Sequence, residues 1–135
     1  MNDSVWKRRK IEKSESMPAV VRDFELSFSI VGLWPVEPAF ANMKPKEGAL
    51  THGVLHKLSP QDFYSLWLFE RSYEAPIATA ELYDGSTVEC RIFSAPHAMA
   101  PGRSPSARYM NLVLEGAVQY GVDEQWLAHL RRIPT

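Results

Sequence analysis

Between Phe24 and Ile30 the chain alternates: Phe24, Leu26, Phe28 and Ile30 are apolar, while Glu25, Ser27 and Ser29 between them are polar. A period of two marks a β-strand with one buried face, because successive side chains of an extended chain point to opposite sides. Any fold of this chain must therefore supply a sheet with an apolar layer against it. Gly32, Pro35 and Pro38 break the pattern. A short strand is expected over residues 36–40, a turn over 48–51 and a further strand over 53–58. Two more strands are expected over 77–83 and 87–93, joined by Asp84-Gly85, a dipeptide that suits a tight hairpin. In the second of these, Val88, Cys90 and Ile92 alternate with Thr87, Glu89 and Arg91.

Other segments carry the helical period. Ser59 can cap a helix, Pro60 suits its first position, and Asp62 stands three after the cap. Phe63, Leu66 and Trp67 then recur at spacings of three and four, and the pattern ends near Arg71. A second helix is expected over 106–120, with Tyr109, Leu112, Val113, Gly116, Ala117 and Tyr120 on one face and Gly121 as its C-terminal cap. Asp123 can cap a last helix carrying Trp126, Leu127 and Leu130, which stops before Pro134. Residues 4–11 allow one or two helical turns. Residues 94–105, with Pro96, Pro101, Gly102 and Pro105, form a loop of a length that is often functional. Hairpins with segregated helices predict an α+β domain spanning 1–135, its sheet curled into a small barrel with helices packed around it.

With 135 residues, 45% of them hydrophobic, one core can form without staples. Fifteen basic and sixteen acidic side chains nearly cancel, which predicts neither a nucleic-acid nor an anionic-membrane partner. Cys90 is the single cysteine, so no intramolecular disulfide can form. The longest apolar runs fall far short of the ~20 residues that span a bilayer. The start, Met1 to Lys10, lacks the apolar stretch and cleavage site of a signal peptide. A cytoplasmic protein is the expectation.

Few side chains invite chemistry. His52 and His56 are four apart, but Gly53 and Val54 favour a strand, and neither His-Glu-x-x-His nor Cys-x-x-Cys occurs, so no metal site is expected. Cys90 reads as a buried structural thiol. There is no Gly-x-Ser-x-Gly elbow and no Gly-rich phosphate loop. The basic run Lys7 to Lys10 reads as a solvated helix face. Glu70 differs. It follows Phe63 by seven residues, Leu66 by four and Trp67 by three, which at ~3.6 residues per turn puts it on their apolar face. A desolvated carboxylate gains proton affinity, as a general base near neutral pH requires. The competing reading is a frayed helix end with Glu70 paired to a surface arginine such as Arg71; periodicity alone favours that one.

Three stretches resemble the γ-glutamylcyclotransferase family. The first is His52-Gly53-Val54-Leu55-His56-Lys57-Leu58-Ser59-Pro60 with the helix ending in Glu70. The second is the Asp84-Gly85 hairpin running into Cys90-Arg91. The third is Ser104-Pro105-Ser106-Ala107-Arg108-Tyr109, then Leu112 to Ala117 and Tyr120-Gly121. Their order and spacing carry the resemblance across nearly the whole chain. It implies a small mixed barrel with packed helices. It makes Glu70 the catalytic proton acceptor and Tyr109 a substrate-contacting tyrosine. The implied reaction is the conversion of a γ-glutamyl amino acid or related amide to 5-oxoproline and a free amine, within glutathione metabolism. The implied partner is a small γ-glutamyl substrate; no cofactor is needed, and exposed aromatics allow a homodimer. One departure stands out. The family opens on a strand ending aromatic-Ala-Tyr-Gly-Ser-Asn, and this chain begins at residues resembling those just after it. The expectation is an N-terminally truncated domain, whose activity depends on whether that strand is dispensable. The alternative is a non-catalytic member that binds a ligand or partner.

Overall fold

The computed structural model describes residues 3–70, 73–100 and 102–135, with the side chains of Ser4 and Val5 excepted. In chain order the elements are α1 (Asp3–Arg9), β1 (Glu15–Leu33), β2 (Glu37–Lys57), α2 (Pro60–Phe69), β3 (Ile77–Leu82), β4 (Thr87–Arg91), α3 (Ala107–Gln119) and α4 (Glu124–Arg131). The strands form one antiparallel sheet in the order β2-β1-β3-β4. The α+β expectation holds. Among the described residues, however, the sheet is wholly antiparallel and open, and does not close into the mixed barrel that the sequence suggested.

The hairpin β1–β2 is far longer than expected. Its register runs from Glu15↔Lys57 to Leu33↔Glu37 with two shifts. The strands expected over 36–40 and 53–58 are the two ends of one strand. The turn expected over 48–51 is a bulge inside it, where Gly48 takes φ 78°. Opposite, Asp23 takes φ 62° and its side chain accepts from the Gly48 amide at 2.9 Å. A positive φ bends a strand without ending it when the ladder resumes beyond, here at Arg22↔Leu50.

Leu26 and Phe28 of β1 and Val54 of β2 pack against Met110, Ala117, Leu127 and Leu130 of α3 and α4. The polar side of the same β1 segment is also covered. Asn42 is fully buried. Its amide donates to Ser29 Oγ and to the Ala95 carbonyl, both at 2.8 Å, and its Oδ1 accepts from the Ala95 amide at 2.9 Å. The start of the long loop after β4 is thereby fastened to the sheet. A second apolar cluster joins Trp6 and Ile11 to Leu66 of α2, with Leu58 and Phe93 beside them. It seats α1 on α2.

The helix signals hold. Ser59 accepts from the Asp62 amide, Ser106 from that of Tyr109, and Asp123 from those of Gln125 and Trp126. Gly121, at φ 73°, follows α3. Cys90 is half-buried opposite Ala78, and Val88 beside it is 43% exposed, so the apolar face of β4 is covered only in part. No helix among the described residues is long and apolar enough to cross a membrane.

Candidate active site

The candidate site lies between the two apolar clusters. Tyr109 opens the first turn of α3, and its ring meets Phe28 and Phe40 edge-on at 6.5 and 5.2 Å between centroids. Tyr73 follows α2, tied back by its amide to the Glu70 carbonyl at 2.9 Å, and its ring meets Phe93 at 6.2 Å. The two hydroxyls converge on one residue of β2. Tyr73 donates to the Ala41 carbonyl at 2.9 Å, while Tyr109 accepts from the Ala41 amide at 3.2 Å. A hydroxyl that accepts from an amide keeps its own hydrogen to donate. Tyr109 therefore offers a donor in this arrangement.

Both phenols resist ionisation. Burial is the first cause for each, and the negative charge of Glu70 adds to it. For Tyr109, Glu37 acts in the same sense, while the Ala41 amide and Arg9 oppose. Near neutral pH both stay protonated.

Glu70 caps the C-terminus of α2, where its amide bonds to the Leu66 and Trp67 carbonyls. The surroundings differ from the apolar layer that periodicity suggested. Leu66 is buried, but Trp67 is 40% exposed, and Glu70 Oε1 accepts from Arg9 Nη1 at 2.6 Å. The helix face is apolar on the side that α1 covers, and α1 brings its own cation. Arg71, the arginine that sequence offered as partner, lies outside the described residues. The basic run 7–10 is accordingly not all solvated face, since Arg9 is engaged.

Glu37 is a buried carboxylate that sequence reasoning passed over. One oxygen accepts from Arg108 and the other from Ser106 Oγ at 2.7 Å. Ser106 Oγ also accepts from the Tyr109 amide at 3.0 Å. Glu37 thus fixes the start of α3, and with it the ring of Tyr109. Both its oxygens are occupied, whereas Glu70 Oε1 alone carries the contact with Arg9.

His52 and His56 lie on β2 and are separately engaged. His52 Nδ1 bonds Tyr83 Oη at 2.7 Å, and His56 Nδ1 bonds Ser16 Oγ at 2.8 Å. Among the described residues no group of three or more His, Cys, Asp or Glu could hold a metal ion. Burial, then Glu89, raises the Cys90 pKa, so its thiol stays protonated and a poor nucleophile. Two open depressions of about 470 and 350 Å³ lie on the sheet around Val20, and neither is lined by Glu70, Tyr73 or Tyr109. The first is lined by the exposed Arg22–Glu81 ion pair and the second by His52, Tyr83 and Asp123.

No family model matches the chain. Gamma-glutamyl cyclotransferase gliK of Aspergillus fumigatus is 27% identical over 143 residues, covering 86% of this chain and 52% of that protein. The chain thus spans about half the length of this curated relative. The solved structure of a gamma-glutamyl cyclotransferase superimposes with a TM-score of 0.80 at 19% identity, covering 95% of this chain and 80% of that one. The fold is γ-glutamylcyclotransferase-like. An uncharacterized Homo sapiens protein superimposes with a TM-score of 0.78 at 20% identity, covering 87% of this chain and 73% of that one.

Proposed function

We propose that the protein is a γ-glutamylcyclotransferase. It would release 5-oxoproline and a free amine from a γ-glutamyl amino acid or related amide, with Glu70 as the proton-transfer group and Tyr109 in contact with the substrate. The observation that carries this reading is the convergence of Tyr109, Tyr73 and the Ala41 peptide, with the negative charge of Glu70 acting on both phenols. Similarity to gliK and to the solved cyclotransferase supports the reaction class.

The substrate's α-ammonium first gives one proton to Glu70. The freed nitrogen attacks the γ-carbonyl, and a five-membered ring closes around a tetrahedral carbon. The carbonyl electron pair moves to oxygen, where a donor such as the Tyr109 hydroxyl steadies it. As the carbonyl re-forms, the old amide C–N bond breaks and the departing nitrogen takes the proton back from Glu70. The ring nitrogen loses its second proton in the same collapse, and that proton ends on the freed amine. Water is not consumed. Attack within one molecule supplies much of the rate, since well-oriented intramolecular reactions reach effective molarities of about 10⁵ M or more. The chemistry asks for one carboxylate that can act as base and then as acid, and no metal or cofactor.

The test is product identity. The chain is incubated with γ-glutamyl-alanine in ¹⁸O-water. Equimolar 5-oxoproline and alanine without ¹⁸O in the 5-oxoproline are expected. Glutamate carrying ¹⁸O would mean hydrolysis and would overturn the reading. A folded chain that binds γ-glutamyl-alanine without turnover would mark a non-catalytic binding protein.

A further inference from the structure

Arg9 belongs to a basic run that sequence assigns to solvent, yet its guanidinium stands at the edge of the candidate site. It contacts Glu70 at 2.6 Å with the two side chains only 25% and 21% exposed, and it lies 5.2 Å from the centre of the Phe69 ring. Its charge reaches both Tyr73 and Tyr109. Apolar packing holds it there. Trp6 and Ile11 are buried against Leu66, and about one helical turn further along each helix Arg9 meets Glu70. The two charges face each other because α1 is seated on α2, and not through mutual attraction alone. An ion pair drawn this far out of water gains little net stability.

An α-amino acid head carries the complementary pair of charges on one carbon. A guanidinium fork matches a carboxylate with two parallel hydrogen bonds, and a carboxylate matches an ammonium. We propose that Arg9 binds the α-carboxylate of the γ-glutamyl group, and that the Arg9–Glu70 pair of the free protein is exchanged for two pairs with the substrate, carboxylate on Arg9 and ammonium on Glu70. This rests on the reading of Glu70 as the proton-transfer group. The exchange leaves no charge unpaired before or after binding. It also turns the α-amine toward the base, and it makes a free α-carboxylate a condition of recognition. The rival role for Arg9 is a clamp that only fastens α1 to α2.

The experiment uses the full chain, Arg9→Met and Arg9→Lys with two probes, γ-glutamyl-alanine and 4-aminobutanoyl-alanine, which differ only in the α-carboxylate. Binding is measured by calorimetry and lactam release by chromatography. The parent should bind the γ-glutamyl probe about tenfold or more tighter than its decarboxylated counterpart. Arg9→Met should bind the two alike, and Arg9→Lys should fall between them. Should Arg9→Met fail to fold, Arg9→Lys alone decides, since it keeps the charge but loses the fork. Equal weakening of both probes in either variant would reduce Arg9 to a clamp and overturn the proposal. Discrimination that depends on Arg9, without any 5-oxoproline from the parent, would overturn the cyclotransferase reading and leave the binding role standing. A parent that binds neither probe would overturn both.

Discussion

Tyr109 joins two jobs in one side chain, and they can be separated. Its ring packs on Phe28 and Phe40, and its hydroxyl bonds the Ala41 amide. Tyr109→Phe keeps the ring and removes the donor. Stability should fall by about 1 kcal/mol, while kcat/KM for γ-glutamyl-alanine should fall about 10²-fold. Steady-state rates and thermal melts of the same preparation check both numbers; an unchanged rate would remove Tyr109 from the chemistry. At this scale sequence told part of the story. The spacing of Glu70 from Phe63 and Leu66 singled it out, but the period alone favoured pairing with an arginine, and only the family resemblance implied chemistry for it. Arg9 was not visible, since it lies 61 positions from Glu70 and meets it only once α1 docks. Tyr73 stands just beyond the helix where no period applies, and Glu37 carries no local mark of burial.

Caps and hairpins are local and were legible; long strands were not. Ser59, Ser106 and Asp123 each satisfy helix amides within three residues of themselves. By contrast, nothing near Gly48 tells whether a positive φ ends a strand or bulges it, because Arg22 across the ladder decides. The polar positions Ser27 and Ser29 read as solvent-facing, yet Asn42 and the loop at Ala95 cover them. Asn42→Ala leaves the Ala95 amide and carbonyl without their partner. A loss of about 2–4 kcal/mol is expected, read as a shift in urea midpoint at constant slope. Ser106→Ala removes both a helix cap and a donor to Glu37. It should cost about 1–2 kcal/mol and lower activity by loosening the start of α3. Activity unchanged at that loss of stability would show that Tyr109 needs no such support.

Stability of the whole molecule carries a pH signature. His56 is packed between Trp6 and Tyr120 and hydrogen-bonded to Ser16. Burial first, and with it the positive charge around the ring, that of Lys13 included, lowers its pKa from 6.5 to about 3, against a smaller opposing effect of Asp3. Above pH 6.5 both folded and unfolded chains hold it neutral. Below that value the unfolded chain binds a proton that the folded one refuses, so stability falls as pH drops toward 3. One proton gives at most about 1.4 kcal/mol per pH unit, and partial solvent contact of the ring lowers this further. Melting temperatures at pH 7.5 and 5 should differ less for His56→Phe than for the parent; equal differences would contradict the assignment. The open sheet is the feature of the whole that sequence missed. Period and turn residues specify strands and hairpins, but closure depends on how four strands twist together, and no local pattern records it.

The reading as a whole turns on Glu70, and Glu70→Gln tests it most directly, since the amide keeps the shape and cannot take the proton. With parent and variant melting alike, 5-oxoproline release from γ-glutamyl-alanine should fall about 10²–10⁴-fold in the variant. Near-parental turnover by a folded Glu70→Gln would contradict the account.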